Sequence, residues 1–237
     1  MTQRTADGAR WLRIVLILLA SSTATAAFAG DDEIFIDGFD GAPPEPIVST
    51  YDDLVEGFLG TAFDYNGIAY HGANGIGGVF PDGSTFTADD VGDNFIIEQA
   101  DVFFEIHPDF GSSPNVLTFG TAYVNGPNLS IGPLVQATLD LAVAANAATV
   151  QLGYYENGPW GGIEIHLDAL DGDTVVASDM LTIANGGGRD NDTVGTLSVG
   201  GAPFDRLRFY STYDGQPSAP RVLIDNLEIT PAASAPR

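Results

Sequence analysis

The sequence predicts an all-β domain, an antiparallel two-sheet β-sandwich, and three observations support this prediction. Short segments that alternate apolar and polar residues recur along the chain, which is typical of strands with one buried face. The 29 glycines and 14 prolines among the 237 residues are dispersed between these segments as turn residues. No stretch of twelve residues carries the apolar stripe of an amphipathic helix. Two layered antiparallel sheets are the architecture that this pattern favours.

Nine segments show the strand pattern most clearly. They are residues 94–98, 101–106, 116–124, 137–144, 149–156, 162–169, 174–183, 204–212 and 221–229. In 162–169 the odd positions are apolar, so Glu164, His166 and Asp168 share the opposite face. Turn sequences such as Asp171-Gly172-Asp173 and Asp214-Gly215 separate the segments.

The first 29 residues are predicted to be a cleaved secretory signal peptide. Arginines precede the apolar run 14–20, and small residues follow it as far as Ala29. The run is shorter than the ~20 residues that span a bilayer, so we expect a secreted protein, extracellular or periplasmic, without membrane insertion. The expected organisation is a signal peptide (1–29), an acidic lead-in with a proline-rich linker (30–46), a β-sandwich domain (47–230) and a C-terminal tail (231–237).

Charge and cysteine content narrow the range of partners. The formal net charge is −24, lysine is absent, and removal of the signal peptide would take three of the eight arginines. Such a field repels nucleic acid and anionic lipid, so neither is an expected partner. It attracts cations such as Ca²⁺, although it equally suits solubility in a salty exterior. Because there is no cysteine, stability cannot come from disulfides.

Three groups of residues resemble motifs of secreted bacterial jelly-roll domains. They are 51–54 with 65–70 near the start, 165–177 in the middle, and 204–209 with 222–229 at the end. Domains of this kind are carried by PEP-CTERM exported proteins, and they in turn resemble carbohydrate-binding modules. The resemblance implies a jelly-roll sandwich and a carbohydrate-binding-like role. The C-terminal sequence PAASAPR lacks the Pro-Glu-Pro sorting signal, so sorting by that route is not expected.

The same resemblance implies a possible structural Ca²⁺ as cofactor. Jelly-roll binding modules hold calcium between an acid near the first strand and an aspartate on the last strand. Asp52 or Asp53 and Asp225 match those positions here. The oxygen-rich loops 89–94 and 190–192 are alternative calcium sites. Zinc is not expected, because the three histidines are far apart in sequence and no cysteine joins them.

Aromatic and basic residues are the first candidates for ligand binding. Trp160 and Tyr155 lie in a glycine-rich loop, where an exposed ring can stack on the C–H face of a sugar. Arg208 and Tyr210 share a strand face and can donate hydrogen bonds to hydroxyl groups or carboxylates. The alternative for Trp160 is packing against the edge of the core.

Glu164 and His166 are the other candidates for ligand contact. With Asp168 they place polar groups about 6–7 Å apart along one strand face. Three interpretations remain open for this face: a solvated outer surface, contact with a sugar, or acid catalysis on a sugar. No nucleophile elbow of the G-x-S-x-G type occurs, and no catalytic residue is assigned.

The sequence therefore leaves three functions open. The first is a secreted, non-enzymatic module that binds a glycan or another extracellular polymer. The second is a structural or matrix protein of the surface without a small ligand. The third is a hydrolase or lyase that acts on polysaccharide.

Overall fold

Nearly all of the described chain is β-structure. The structure is a computed structural model that describes residues 44–73, 76–80, 82–87, 95–123, 130–154, 161–183 and 193–233. The predicted signal peptide therefore lies outside the described residues, as do most of the lead-in and the end of the tail. The strands are β1 (Ile47–Ser49), β2 (Gly57–Gly60), β3 (Ala62–Tyr65), β4 (Ile68–Gly72), β5 (Gly78–Val79), β6 (Thr85–Phe86), β7 (Phe95–Gln99), β8 (Asn115–Tyr123), β9 (Ser130–Leu134), β10 (Gln136–Tyr154), β11 (Ile163–Asp171), β12 (Thr174–Ile183), β13 (Thr193–Tyr213), β14 (Gln216–Ser218) and β15 (Val222–Pro231). One short helix, α1 (Asp101–Ile106), accompanies them in the described part.

Two long strands contribute to both layers of the sandwich. The first half of β10 pairs with β4 on one side and with the second half of β13 on the other. The second half of β13 pairs in turn with β11, and β11 pairs with β12. The second half of β10 pairs with the first half of β13 and with β15, and from there the sheet runs through β8 and β7 to β2. We call these layers sheet I and sheet II. The strands pass from one to the other at register shifts between Asp140 and Ala147, where bulges bend the chain.

The main apolar core of the described residues lies between the two sheets. It contains Ile165, Leu167 and Phe209 from sheet I together with Leu152 and Ile224 from sheet II, all at most 2% exposed. All strand pairings that were identified are antiparallel. The prediction of an all-β, antiparallel two-sheet β-sandwich is thus confirmed. Residues that alternate with these core residues face outward and supply the surfaces discussed below.

The strand predictions are mostly confirmed, with two differences in length. Residues 174–183 form β12, as predicted. At the predicted turn Asp214-Gly215, both residues have positive φ, 49° and 70° respectively. Glycine suits the second position because it adopts positive φ without a steric penalty. Segments 137–144 and 149–156 lie largely in one 19-residue strand, β10, and 204–212 is part of the 21-residue strand β13. Short-range alternation cannot reveal a strand that bends across a bulge, because the bulge interrupts the pattern.

The prediction of a strand at 101–106 is wrong, because this segment forms the helix α1. Its sequence, DVFFEI, is too short for periodicity to distinguish a helix from a strand. Tertiary packing explains the outcome: Phe103 is fully buried in a small cluster with Phe110 and Leu223 on the outer side of sheet II. Among the described residues, no helix is long and apolar enough to cross a membrane.

Substitution of Gly153 by alanine is expected to destabilise the protein by about 2 kcal/mol. A Cβ atom at Gly153 would lie 2.6 Å from the ring of Phe103, so the ring must shift out of its slot. Thermal unfolding followed by circular dichroism measures the change. In a Phe103→Leu background the same alanine is expected to cost less, and an equal cost in both backgrounds would contradict this explanation.

Candidate functional site

The outer face of sheet I brings four of the predicted ligand residues together. In the register of β11 and β13, Glu164 lies opposite Thr212, His166 opposite Tyr210, and Asp168 opposite Arg208. We call these six residues the polar face. They line up because the alternate residues of both strands, such as Ile165 and Phe209, point into the core.

Hydrogen bonds connect Glu164, Thr212 and His166 at one end of the polar face. The Thr212 hydroxyl donates to Glu164 Oε2 at 3.0 Å, and His166 Nε2 lies 3.0 Å from the same hydroxyl oxygen. Since that hydroxyl has only one proton to donate, His166 Nε2 carries the proton of the imidazole and donates to Thr212. The His166 ring also stacks on Tyr210, with centroids 4.5 Å apart and planes 3° apart.

An ion pair holds the other end of the polar face. Arg208 donates to Asp168 Oδ2 through Nε at 3.2 Å and through Nη2 at 2.5 Å, and Ser178 on β12 donates to Asp168 Oδ1 at 2.7 Å. Asp168 is only 4% exposed, so its carboxylate is buried and not solvated. The Arg208 guanidinium carbon also lies 5.3 Å from the centre of the Tyr210 ring, close enough for a cation–π interaction.

Partial burial favours the uncharged form of His166. Partial burial lowers the pKa of His166 below its ordinary value, although Glu164 and Asp168 act in the opposite direction. A neutral imidazole retains one donor and one acceptor nitrogen, and the donor is already used on Thr212. The polar face therefore presents fixed side chains on a rigid sheet, and its positive charge comes from Arg208.

Two other predicted ligand residues, Trp160 and Tyr155, lie outside the described residues. Thr212 and Ser178 were not predicted, although both contribute hydrogen bonds to the polar face. The signal for Thr212 is present in the sequence, because it continues the alternation of Arg208 and Tyr210 along the same strand. Nothing local marks Ser178, which depends on the pairing of β11 with β12.

Of the three aspartates predicted to bind calcium, two lie close together and the third lies elsewhere. Asp52 and Asp225 converge on Ser112, whose hydroxyl donates to Asp52 Oδ2 and whose backbone N–H donates to Asp225 Oδ2, both at 2.7 Å. Asp53 is exposed instead and accepts a hydrogen bond from the Tyr65 hydroxyl at 2.6 Å. The pair Asp52 and Asp225 thus remains as the candidate, and Asp53 lies apart from it.

Burial makes the Asp225 carboxyl group unusual. Asp225 is fully buried, and desolvation together with the nearby charge of Asp52 raises its pKa to about 7, against the hydrogen bonds from Ser112 and Asn226. No cationic side chain forms an ion pair with it among the described residues. A group in this setting is stabilised by a proton or by a bound cation.

A buried oxygen beside this pair also lacks a partner. The side chain of Asn115 is 6% exposed and donates to the Asp52 and Leu54 carbonyls, whereas its Oδ1 atom accepts no hydrogen bond from any residue that the structure describes. Calcium prefers six to eight oxygen ligands, including carboxylates and amide carbonyls. The oxygen donors therefore fit calcium, although no cluster of three or more His, Cys, Asp or Glu side chains suited to a metal occurs in the described residues. The alternative calcium loops, 89–94 and 190–192, lie outside the described residues.

Comparisons with known proteins reveal similarity of structure only. No protein-family model and no curated protein sequence matches this chain. The K1 cleaved adhesin domain of Lys-gingipain from Porphyromonas gingivalis W83 is 12% identical, with 80% of this chain and 100% of that domain covered at a TM-score of 0.43. CBM27-1 of Caldicellulosiruptor saccharolyticus, solved in complex with mannohexaose, is 13% identical, with 81% and 100% covered at a TM-score of 0.42.

An enzyme also appears among the similar structures. The MgGH51 α-L-arabinofuranosidase is 10% identical and has a TM-score of 0.43, but the match covers 28% of that chain and 82% of this one. The neighbours thus include carbohydrate-binding modules and adhesin domains as well as part of a glycosidase. At these identities and scores no functional conclusion follows from the likeness, and the function must be argued from the side chains.

Proposed function

We propose that this protein is an exported, non-enzymatic module that binds a neutral extracellular glycan on the polar face. The observation that carries the proposal is the linked network of Glu164, His166 and Thr212 beside the stacked ring of Tyr210. Sugars are bound by aromatic rings together with hydrogen-bonding groups held in place. Because the network fixes these side chains before a ligand arrives, little conformational entropy is lost on binding.

Charge determines the class of glycan. Arg208 is neutralised by Asp168, and the next arginine along the strand, Arg206, is paired with Asp140 at 2.6 Å and with Asp173 at 3.4 Å. In the described part of sheet I, no arginine is therefore left unpaired to bind an anionic sugar. With a net charge of −24 on the whole chain, polyanionic glycans are repelled, and neutral glycans are favoured.

The spacing of the carboxylates argues against turnover of the glycan. Glu164 and Asp168 lie four residues apart on one strand, about 13 Å at 3.3 Å per residue. Glycosidases place their two carboxyl groups roughly 5–9.5 Å apart, depending on the stereochemical outcome. Asp168 is also engaged by Arg208 and Ser178, so it is not available as a nucleophile or a base.

Calcium belongs to this proposal as a structural ion. Asp52 and Asp225 would hold it with their carboxylates, and Asn115 would add its unpartnered amide oxygen. Ser112 lies between the two carboxylates, so the ion would link the first strands, the 106–115 segment and the last strand. Its role would be to stabilise the fold, since Asp225 on β15 and Asn115 on β8 belong to sheet II, whereas the polar face lies on sheet I.

Replacement of Tyr210 by alanine is expected to weaken glycan binding at least tenfold, about 1.4 kcal/mol. The change removes the ring that stacks on His166 and lies beside Arg208. Binding of the mature protein to soluble neutral mannans, β-glucans and xylans, with calcium present, can be measured by affinity electrophoresis and titration calorimetry.

Phe58→Ala is the matched control for this experiment. The Phe58 ring is also exposed, at 52%, but it lies on β2 at the edge of sheet II. It should leave glycan affinity unchanged. If none of these glycans binds, the glycan proposal fails and the matrix protein is favoured. If a glycan is shortened during the experiment, the non-enzymatic part fails.

A further inference from the structure

A groove crosses the outer face of sheet II, on the opposite side of the sandwich from the polar face. Two adjoining cavities of about 300 and 320 Å³ form it, and they share Gln151 and Thr196 as lining residues. Thr196 on β13 pairs with Gln151 on β10, and Thr149 on β10 pairs with Glu228 on β15. Glu228 in turn pairs with Val48 on β1. The groove thus crosses four strands, about 14 Å at the usual strand spacing, which is the length of roughly four extended residues.

Aliphatic side chains form part of the walls of this groove. Val48, Ile106 and Val194 line it between polar residues and are 49%, 40% and 42% exposed. Phe110 also lines the groove but is only 3% exposed, so among the described residues no open aromatic face is available there for stacking on a sugar. The lining therefore suits short aliphatic side chains better than sugar rings.

The floor of the groove offers an oriented hydrogen-bond donor. Gln151 Oε1 accepts from the Gly111 backbone N–H at 2.7 Å and from Asn226 Nδ2 at 2.9 Å. These two donors determine which end of the amide is oxygen, and they leave Gln151 Nε2 without a partner in the described part of the chain. An N–H group at this position is suited to a backbone carbonyl of an extended chain that lies in the groove.

The ends of the groove are acidic. Asp109 lies in one cavity and Glu228 in the other, and none of the arginines in the described ranges lines either cavity. His107 does not supply a positive charge, because desolvation lowers its pKa below the ordinary value. A ligand that carries positive charge near its ends therefore complements the groove, and the net charge of −24 attracts it from a distance.

We propose that the sheet II groove binds an extended peptide segment with aliphatic side chains in its middle and basic residues near its ends. The aliphatic walls accept the apolar side chains, Gln151 Nε2 donates to a peptide carbonyl, and Asp109 and Glu228 face the basic residues. The protein then has two binding surfaces on opposite sheets, one for a glycan and one for a polypeptide. Such a module can attach a protein to a polysaccharide layer.

Thr196→Arg is the variant that tests this proposal. It places a large cation at the shared point of the two cavities, on an exposed position of β13. Thr174→Arg is the matched control, since Thr174 is also an exposed strand residue but lies at the start of β12. Fluorescence anisotropy with a labelled peptide, acetyl-Lys-Val-Thr-Val-Lys-amide, measures the affinity of the full-length mature protein. A glutamate-flanked peptide of otherwise identical sequence and a neutral hexasaccharide serve as comparison ligands.

The expected result is that the lysine-flanked peptide binds, that Thr196→Arg weakens it at least tenfold, and that Thr174→Arg does not. Tyr210→Ala should leave peptide binding unchanged, so failure of the glycan proposal is visible separately. The proposal is overturned if no peptide binds, or if the glutamate-flanked peptide binds equally well. It is equally overturned if Thr196→Arg has no effect, or if only the hexasaccharide binds and loses affinity in that variant.

Discussion

Replacement of Arg221 by methionine is expected to lower the free energy of unfolding by about 3–5 kcal/mol. Arg221, immediately before β15, forms an ion pair with Glu98 on β7, and the two residues are 9% and 1% exposed. Loss of the guanidinium takes the charge of Arg221 away from the buried Glu98 carboxylate, and burial of a carboxylate with less compensation is costly. For a domain of this size the melting temperature should fall by roughly 6–20 °C.

The double variant Glu98→Leu with Arg221→Met is the control for this prediction. It replaces both charges by apolar side chains of similar volume, which is often close to neutral for a buried pair. Chemical denaturation of the two single variants and the double variant gives the coupling energy between the residues. A double variant as unstable as Arg221→Met alone would show that the loss comes from packing and not from the buried charge.

In the absence of divalent cations, the free energy of unfolding is expected to decrease as the pH is raised from 4 to 8. The pKa of Asp225 is raised from 3.8 to about 7 by burial, so the folded state keeps a proton that the unfolded chain has lost. Between these two values the unfolded state binds fewer protons, and the free energy of unfolding decreases as the pH rises. The full penalty is about 4 kcal/mol above pH 7.

Calcium is expected to offset this penalty, because a cation stabilises the charged form of Asp225. At a free concentration one hundred times the dissociation constant, the ion adds about 2.7 kcal/mol to the free energy of unfolding. Melting curves at pH 5 and pH 8, in chelator and in excess calcium, measure both effects. Asp225→Asn should remove the calcium shift and flatten the pH dependence, whereas Asp53→Asn, at an exposed carboxylate nearby, should retain both. An identical response in the two variants would contradict the assignment of the site.

Much of the polar face follows from period-two alternation alone. Glu164, His166 and Asp168 occupy every second position between apolar residues, so their common face is predictable without knowledge of any partner strand. The same pattern places Arg208 and Tyr210 together on another segment. Which residues lie opposite one another is not predictable in this way. The pairing of His166 with Tyr210 depends on the register between β11 and β13, which the packing of the whole core selects.

The residues proposed to hold calcium show how much a family resemblance can predict. It implied an acid near the first strand and an aspartate on the last strand, and Asp52 and Asp225 do lie on either side of Ser112. It did not separate Asp52 from Asp53, because two adjacent residues of a loop differ only in their direction. Nor did it identify Ser112 and Asn115, since a serine before a strand and an asparagine at its first position carry no distinctive pattern.

The helix at 101–106 and the sheet II groove cannot be predicted from neighbouring residues in the sequence. DVFFEI suits a strand or a helix, and the absence of a side chain at Gly153, some fifty residues away, provides the slot that Phe103 fills. The groove joins residues of α1, β13, β10, β15 and β1, which no sequence interval brings together. Alternating hydrophobicity is a property of neighbouring residues and therefore specifies strands and faces. Register, crossings between sheets and cavities arise from long-range packing, and the residues that form them meet only in the folded chain.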